Sequence, residues 1–173
     1  MIIRKENKND YINIFNFVKT AFETAKVKDG DEQDFVDRIR ASKDYIPELA
    51  FVAEENGEII GHIMFSKTYV QNNNKRFEAL MLAPLAVRLD YRCRGIGGSL
   101  IKAGFEKAKK MGYTAVFLAG DSKYYSRFGF EPTIKHNIKC SLDIPEDLYE
   151  NIMVCELKPG ALRGISGIVK FTT

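Results

Sequence analysis

The chain has 173 residues, a 45% apolar fraction and a net charge of +3, which fits one domain with a sizeable core. Its charges are mixed along the whole length, which argues against a nucleic-acid partner, and no apolar run is long enough to cross a bilayer. The N-terminus lacks a basic region followed by an apolar stretch, so the expectation is an intracellular, cytoplasmic protein with no membrane partner. Cys93, Cys140 and Cys155 are odd in number and lack metal spacing, so neither a disulfide framework nor a metal site is expected.

Ile2 to Arg4 reads as a first strand. Asn9 or Asp10 can cap a helix whose apolar face is Tyr11, Ile14, Phe15, Val18, Ala21 and Phe22. The polar stretch from Lys26 to Asp31 breaks it, and a weaker helix follows from Glu32 to Ala41. Leu49–Ala53 and Glu58–Tyr69 form a hairpin about Asn56-Gly57, because both turn positions tolerate positive φ. Gln71 to Lys75 is a polar tip. Glu78 to Val87 is a strand buried on both faces and interrupted by Pro84. A bulge there is expected to open the sheet between this strand and the next, Ala115–Leu118.

From Ile96 the period becomes helical, with Leu100, Ile101, Gly104, Phe105, Ala108 and Met111 on one stripe and Gly112 as its stop. Ser122 to Phe128 is a short helix ended by Gly129, and strands at Ile152–Leu157 and Ile168–Phe171 follow. The fold class is mixed α/β, with the whole of residues 1–173 as one domain.

The chemistry concentrates where the buried strand ends and a helix begins. Arg92-Cys93-Arg94-Gly95-Ile96-Gly97-Gly98 opens that helix. A helix N-terminus carries unpaired amides and partial positive charge, and so attracts phosphate. Glycines remove side chains that would keep an anion from those amides, and Arg92 and Arg94 add positive charge. The alternative is a tight strand-to-helix connection and nothing more. A P-loop fits worse because Gly-Lys-Ser/Thr is missing, and a dinucleotide fingerprint because the third glycine is missing and the position is mid-chain.

Arg92-Cys93-Arg94-Gly95-Ile96-Gly97 resembles the [Gln/Arg]-x-x-Gly-x-[Gly/Ala] signature of the GNAT superfamily of acyl-CoA N-acyltransferases. Pro84 to Val87 looks like that family's central strand, and Tyr124 to Pro132 resembles its second motif, a tyrosine on a short helix before Gly-Phe. The likeness covers residues 50–132 best and weakens over 133–173. It implies a single-domain fold with a central, splayed mixed β-sheet flanked by helices. It implies acetyl-CoA as co-substrate, with no metal. The pantetheine arm would pair with the backbone of Leu85, Ala86 and Val87, and the pyrophosphate would lie on the loop from Arg92 through Cys93, Arg94, Gly95, Ile96, Gly97 and Gly98 to Ser99. An amide near the Pro84 bulge would steady the thioester oxygen.

The same resemblance makes Tyr125 the proton donor to the departing thiolate; otherwise it is a packed ring. No general base is assigned. Glu78 reads as a surface residue, and His62 as an ordinary packed histidine. Cys93 lacks a paired histidine, so direct transfer in a ternary complex is preferred over a thiol intermediate. The expected function is N-acetylation of a primary amine; the alternative is a non-catalytic CoA-binding regulatory module. The acceptor amine is not legible, and a homodimer is left open.

Overall fold

Apolar residues three and four apart build the helices, and turn chemistry sets the hairpins, close to where these patterns place them. The computed structural model describes residues 1–25, 28 and 30–172. Lys26, Val27 and Asp29 of the polar helix-breaking stretch lie outside the described residues. The first elements are β1 (Ile2–Lys5), α1 (Tyr11–Phe22), α2 (Glu32–Arg40), β2 (Tyr45–Glu55), β3 (Glu58–Asn72) and β4 (Lys75–Val87). After them come α3 (Ile96–Lys110), β5 (Ala115–Ala119), α4 (Ser122–Tyr125), β6 (Glu131–Pro132), β7 (Ile138–Cys140), β8 (Ile152–Glu156) and β9 (Gly167–Val169). Among the described residues the strands make one mixed nine-stranded sheet in the order β1-β2-β3-β4-β5-β8-β6, with β9 pairing β3 and β7. No described helix is long and apolar enough to cross a membrane.

The chain divides into two compact units, residues 1–66 with 82–107, and residues 67–81 with those from 108 onward. In the first, α1 and α2 cover one sheet face. Ile14, Val18, Val36 and Ile39 pack there with Ala50, Val52, Met64 and Ala86. Because side chains alternate along a strand, Gly61 and Phe65 point to the opposite face, against α3. A Cβ on Gly61 would stand 2.9 Å from Leu100 Cδ1.

Gly104 is tighter still. Its missing Cβ would fall 2.1 Å from Cε2 of the fully buried Phe65 ring. Replacing a mid-helix glycine with alanine normally gains about 0.5–1 kcal/mol. Overpacking a core costs about 1–3 kcal/mol. Gly104→Ala is therefore expected to lower the urea-unfolding free energy by about 1–2 kcal/mol, and an unchanged or raised midpoint would contradict this packing.

In the second unit β5 runs antiparallel to β8 over five residue pairs, Ala115↔Glu156 to Ala119↔Ile152. Its parallel register with β4 comprises Leu80↔Val116 and Met81↔Phe117. The pairing thus stops short of Pro84 and does not run the full length of the two strands, as the proline suggested. The Ala83–Pro84 peptide is cis.

Some boundaries differ from expectation. β3 continues through Asn72, so the hairpin tip is shorter than Gln71–Lys75. The reason is a distant strand: Val70 and Gln71 pair with Val169 and Ile168. β2 starts at Tyr45, ahead of a register shift that admits Pro47. The helix expected over Ser122–Phe128 is α for one turn and then 3₁₀ from Ser126 to Phe128, where Gly129 at φ +86° ends it. The short β6 and β7 are too brief for any periodicity to announce.

Candidate active site

The strand-to-helix connection is built by its own backbone. Leu89–Tyr91 is a 3₁₀ turn, and Cys93 and Gly95 take left-handed φ of 61° and 79°. That conformation is ordinary for glycine and uncommon for cysteine. The first α3 hydrogen bond runs from Ser99 N to Gly95 O, 3.0 Å, and the Ser99 hydroxyl donates to the same oxygen at 3.2 Å. The amides of Ile96, Gly97 and Gly98 therefore precede the helical ladder and have no carbonyl of their own helix to bind. A left-handed glycine followed by unladdered amides at a helix start has the geometry to accept an anion.

The two arginines of the motif behave differently. Arg94 is exposed, its guanidinium 4.8 Å from the centre of the Tyr91 ring. Arg88 lies 4.5 Å from the same ring, while pairing with Asp90 at 2.8 Å and Glu58 at 2.6 Å. Arg92 instead turns its fork to protein oxygens. It donates to Ala21 O at 2.6 Å, Thr24 Oγ1 at 2.9 Å and Val87 O at 3.3 Å. Ala21 lies in the last turn of α1, so its carbonyl is one of the acceptors a cation satisfies best. Arg92 thus ties the loop to the end of α1 and to the last residue of β4.

Leu85, Ala86 and Val87 lead into this loop, Ala86 buried and the other two half-buried. Cys93 is exposed. Glu78 is exposed, as a surface residue should be.

A charged cluster that the sequence reading missed lies under α1 and α2. Glu6, just past β1, has a fully buried carboxylate. Arg40 of α2 grips both its oxygens at 2.9 Å, Tyr45 of β2 donates to Oε1 at 2.9 Å, and His62 Nε2 of β3 lies 2.8 Å from Oε2. Burial works to raise the carboxyl pKa, but the hydrogen bonds from His62 and Arg40 win and bring it down to about 2. No local signal marks Glu6 for burial, because its partners are 34, 39 and 56 residues away.

Tyr125, in the second unit, closes α4, which Asp121 caps through Oδ1 on Lys123 N at 2.9 Å. Its ring meets Tyr124 edge-on, with centroids 5.0 Å apart, and Phe130 at 5.7 Å. Gly120 makes room for it, since a Cβ there would fall 2.5 Å from Tyr125 Cε2. Burial, with smaller contributions from Tyr124 and Asp121, pushes the phenol above its usual range, so it keeps its proton at neutral pH.

Comparison with known proteins gives the family of the chain. The sequence model of the acetyltransferase (GNAT) domain matches residues 2–133. The uncharacterized N-acetyltransferase YhbS of Escherichia coli K12 is 32% identical over 172 residues, 99% of this chain and 96% of that protein. YjhQ of the same strain, also an uncharacterized N-acetyltransferase, is 34% identical over 126 residues, 73% of this chain and 67% of its own. The crystal structure of E. coli YhbS in complex with CoA superposes with TM-score 0.87 at 31% identity, covering 99% of this chain and 89% of that one. A GNAT-family acetyltransferase from Brucella melitensis in complex with acetyl-CoA gives TM-score 0.78 at 28% identity, covering 99% and 96%. With a family model matching residues 2–133 and a relative 32% identical along almost its whole length, the chain belongs to the GNAT family of N-acetyltransferases.

Proposed function

We propose that this chain transfers the acetyl group of acetyl-CoA to a primary amine by direct attack in a ternary complex. The observation that carries the reading is the left-handed turn at Gly95 followed by the unladdered amides of Ile96, Gly97 and Gly98. The CoA and acetyl-CoA held by the two similar structures support it. In this reading the loop from Arg92 to Ser99 takes the pyrophosphate, and Leu85, Ala86 and Val87 offer main-chain groups to the pantetheine. An amide of that strand steadies the thioester oxygen as charge builds on it. The amine nitrogen attacks the carbonyl carbon, the carbon–sulfur bond breaks, and Tyr125 gives a proton to the sulfur. Holding amine and thioester together supplies much of the rate, because it turns a bimolecular step into a local one.

Gly97→Val places a branched side chain where the backbone must touch phosphate. Calorimetry on the folded variant is expected to show CoA affinity lower by at least tenfold, the equivalent of about 1.4 kcal/mol. Unchanged affinity would remove the pyrophosphate from this loop. Turnover of acetyl-CoA with a panel of amines separates the enzyme from a CoA-binding module without chemistry.

A further inference from the structure

His62 has no exposed surface, and its Nδ1 has no hydrogen-bond partner among the described residues. A buried ring nitrogen without a partner is unusual, since buried polar atoms are nearly always paired. Its other nitrogen is fixed. Glu6 is ionised and can only accept, so His62 Nε2 carries the hydrogen across the 2.8 Å contact. Arg40 already balances the Glu6 charge. In the neutral ring Nδ1 then holds a lone pair, and Glu6 sets which nitrogen presents it.

The position of that lone pair matters. Arg88 N donates to Ile60 O at 2.9 Å, which fixes the antiparallel alignment of β3 with the end of β4. Two residues on, that alignment carries His62 to the level of Ala86, inside the run proposed above for the pantetheine. His62 shares its sheet face with Ala86 and Met64, beneath α1 and α2.

We propose that His62 is the proton acceptor for the acceptor amine, held in the required tautomer by Glu6. This rests on the transferase reading above. The amine nitrogen forms the new bond to the acetyl carbon, and its surplus proton passes to His62 Nδ1. The carbon–sulfur bond breaks, and the sulfur takes its proton from Tyr125. The ring is closed off from solvent, so the transfer from the amine to Nδ1 requires a proton relay. Glu6, beyond β1, meets the imidazole and is itself held by Arg40 from α2, which pairs with Asp37 at 2.8 Å, and by Tyr45 from β2. Tyr11 from α1 lies with its ring 3.8 Å from the Arg40 guanidinium, and β4 brings the non-titrating Ala86.

The test has two parts. Nitrogen NMR of the acetyl-CoA-bound wild type at pH 8 is expected to show His62 protonated at Nε2 and bare at Nδ1. A hydrogen on Nδ1 overturns the proposal without any variant being made. Kinetics then use acetyl-CoA with spermidine, a lysine-containing peptide and an aminoglycoside. His62→Gln keeps an amide donor for Glu6 but offers no basic nitrogen. It is expected to bind CoA normally and to lose about 10²–10⁴ in kcat/KM, with the loss in kcat and not in the KM for acetyl-CoA. An active wild type with an equally active His62→Gln overturns the role of His62 alone. A wild type that binds acetyl-CoA and acetylates none of the three amines overturns the transferase reading itself.

Discussion

Tyr125→Phe is expected to lower kcat by about 10²–10⁴ and to leave acetyl-CoA affinity nearly unchanged. The substitution keeps the ring that packs edge-on against Tyr124 and Phe130 and fills the space left by Gly120. It removes only the hydroxyl, so stability should hold. The phenol is a weak acid here, because burial pushes its pKa up. The same desolvation makes the departing thiolate a stronger base, so donor and acceptor shift in the same direction. A donor of this kind stays protonated through neutral pH, so Tyr125 should contribute no falling limb to kcat below about pH 10. Near-normal turnover in a step limited by chemistry would make Tyr125 a packing residue.

Glu6→Gln is expected to destabilise the fold at pH 7 by about 3–5 kcal/mol, the usual cost of breaking a buried ion pair by removing one partner. The loss arises because Arg40, with only 7% of its side chain exposed, keeps its charge and forfeits the carboxylate that held its fork. The pH dependence follows from the direction of the Glu6 shift. Its pKa falls from 4.5 to about 2 on folding. The unfolded chain therefore binds this proton more readily. The stabilisation is fully present above about pH 4.5 and is lost as pH falls towards 2. Chemical denaturation across that window should show wild type and Glu6→Gln converging at the acid end. A gap that stayed constant with pH would mean that Glu6 is not ionised in the folded chain.

The sequence by itself determined whatever depends on neighbours along the chain. The Asn56-Gly57 turn, the amphipathic α1, the end of α3 at Gly112 and the phosphate-loop pattern are all written in short windows, where turn chemistry and helical period act. Those windows carried the family resemblance too, since both motifs are local. The sequence also marked Pro84 as a residue that brings no amide to a ladder, and the register of β4 with β5 ends three residues before it, at Met81.

Only the tertiary structure decided which side chains meet. Arg92 looked like added charge for phosphate, yet Ala21 and Thr24 claim its guanidinium from 71 and 68 residues away. His62 read as an ordinary packed histidine. Its partner Glu6 stands 56 residues distant, and nothing in the pattern around either residue names the other. Such pairings arise when β1, α2, β2 and β3 converge on one buried point. There a carboxylate is kept ionised only by the donors the fold delivers to it.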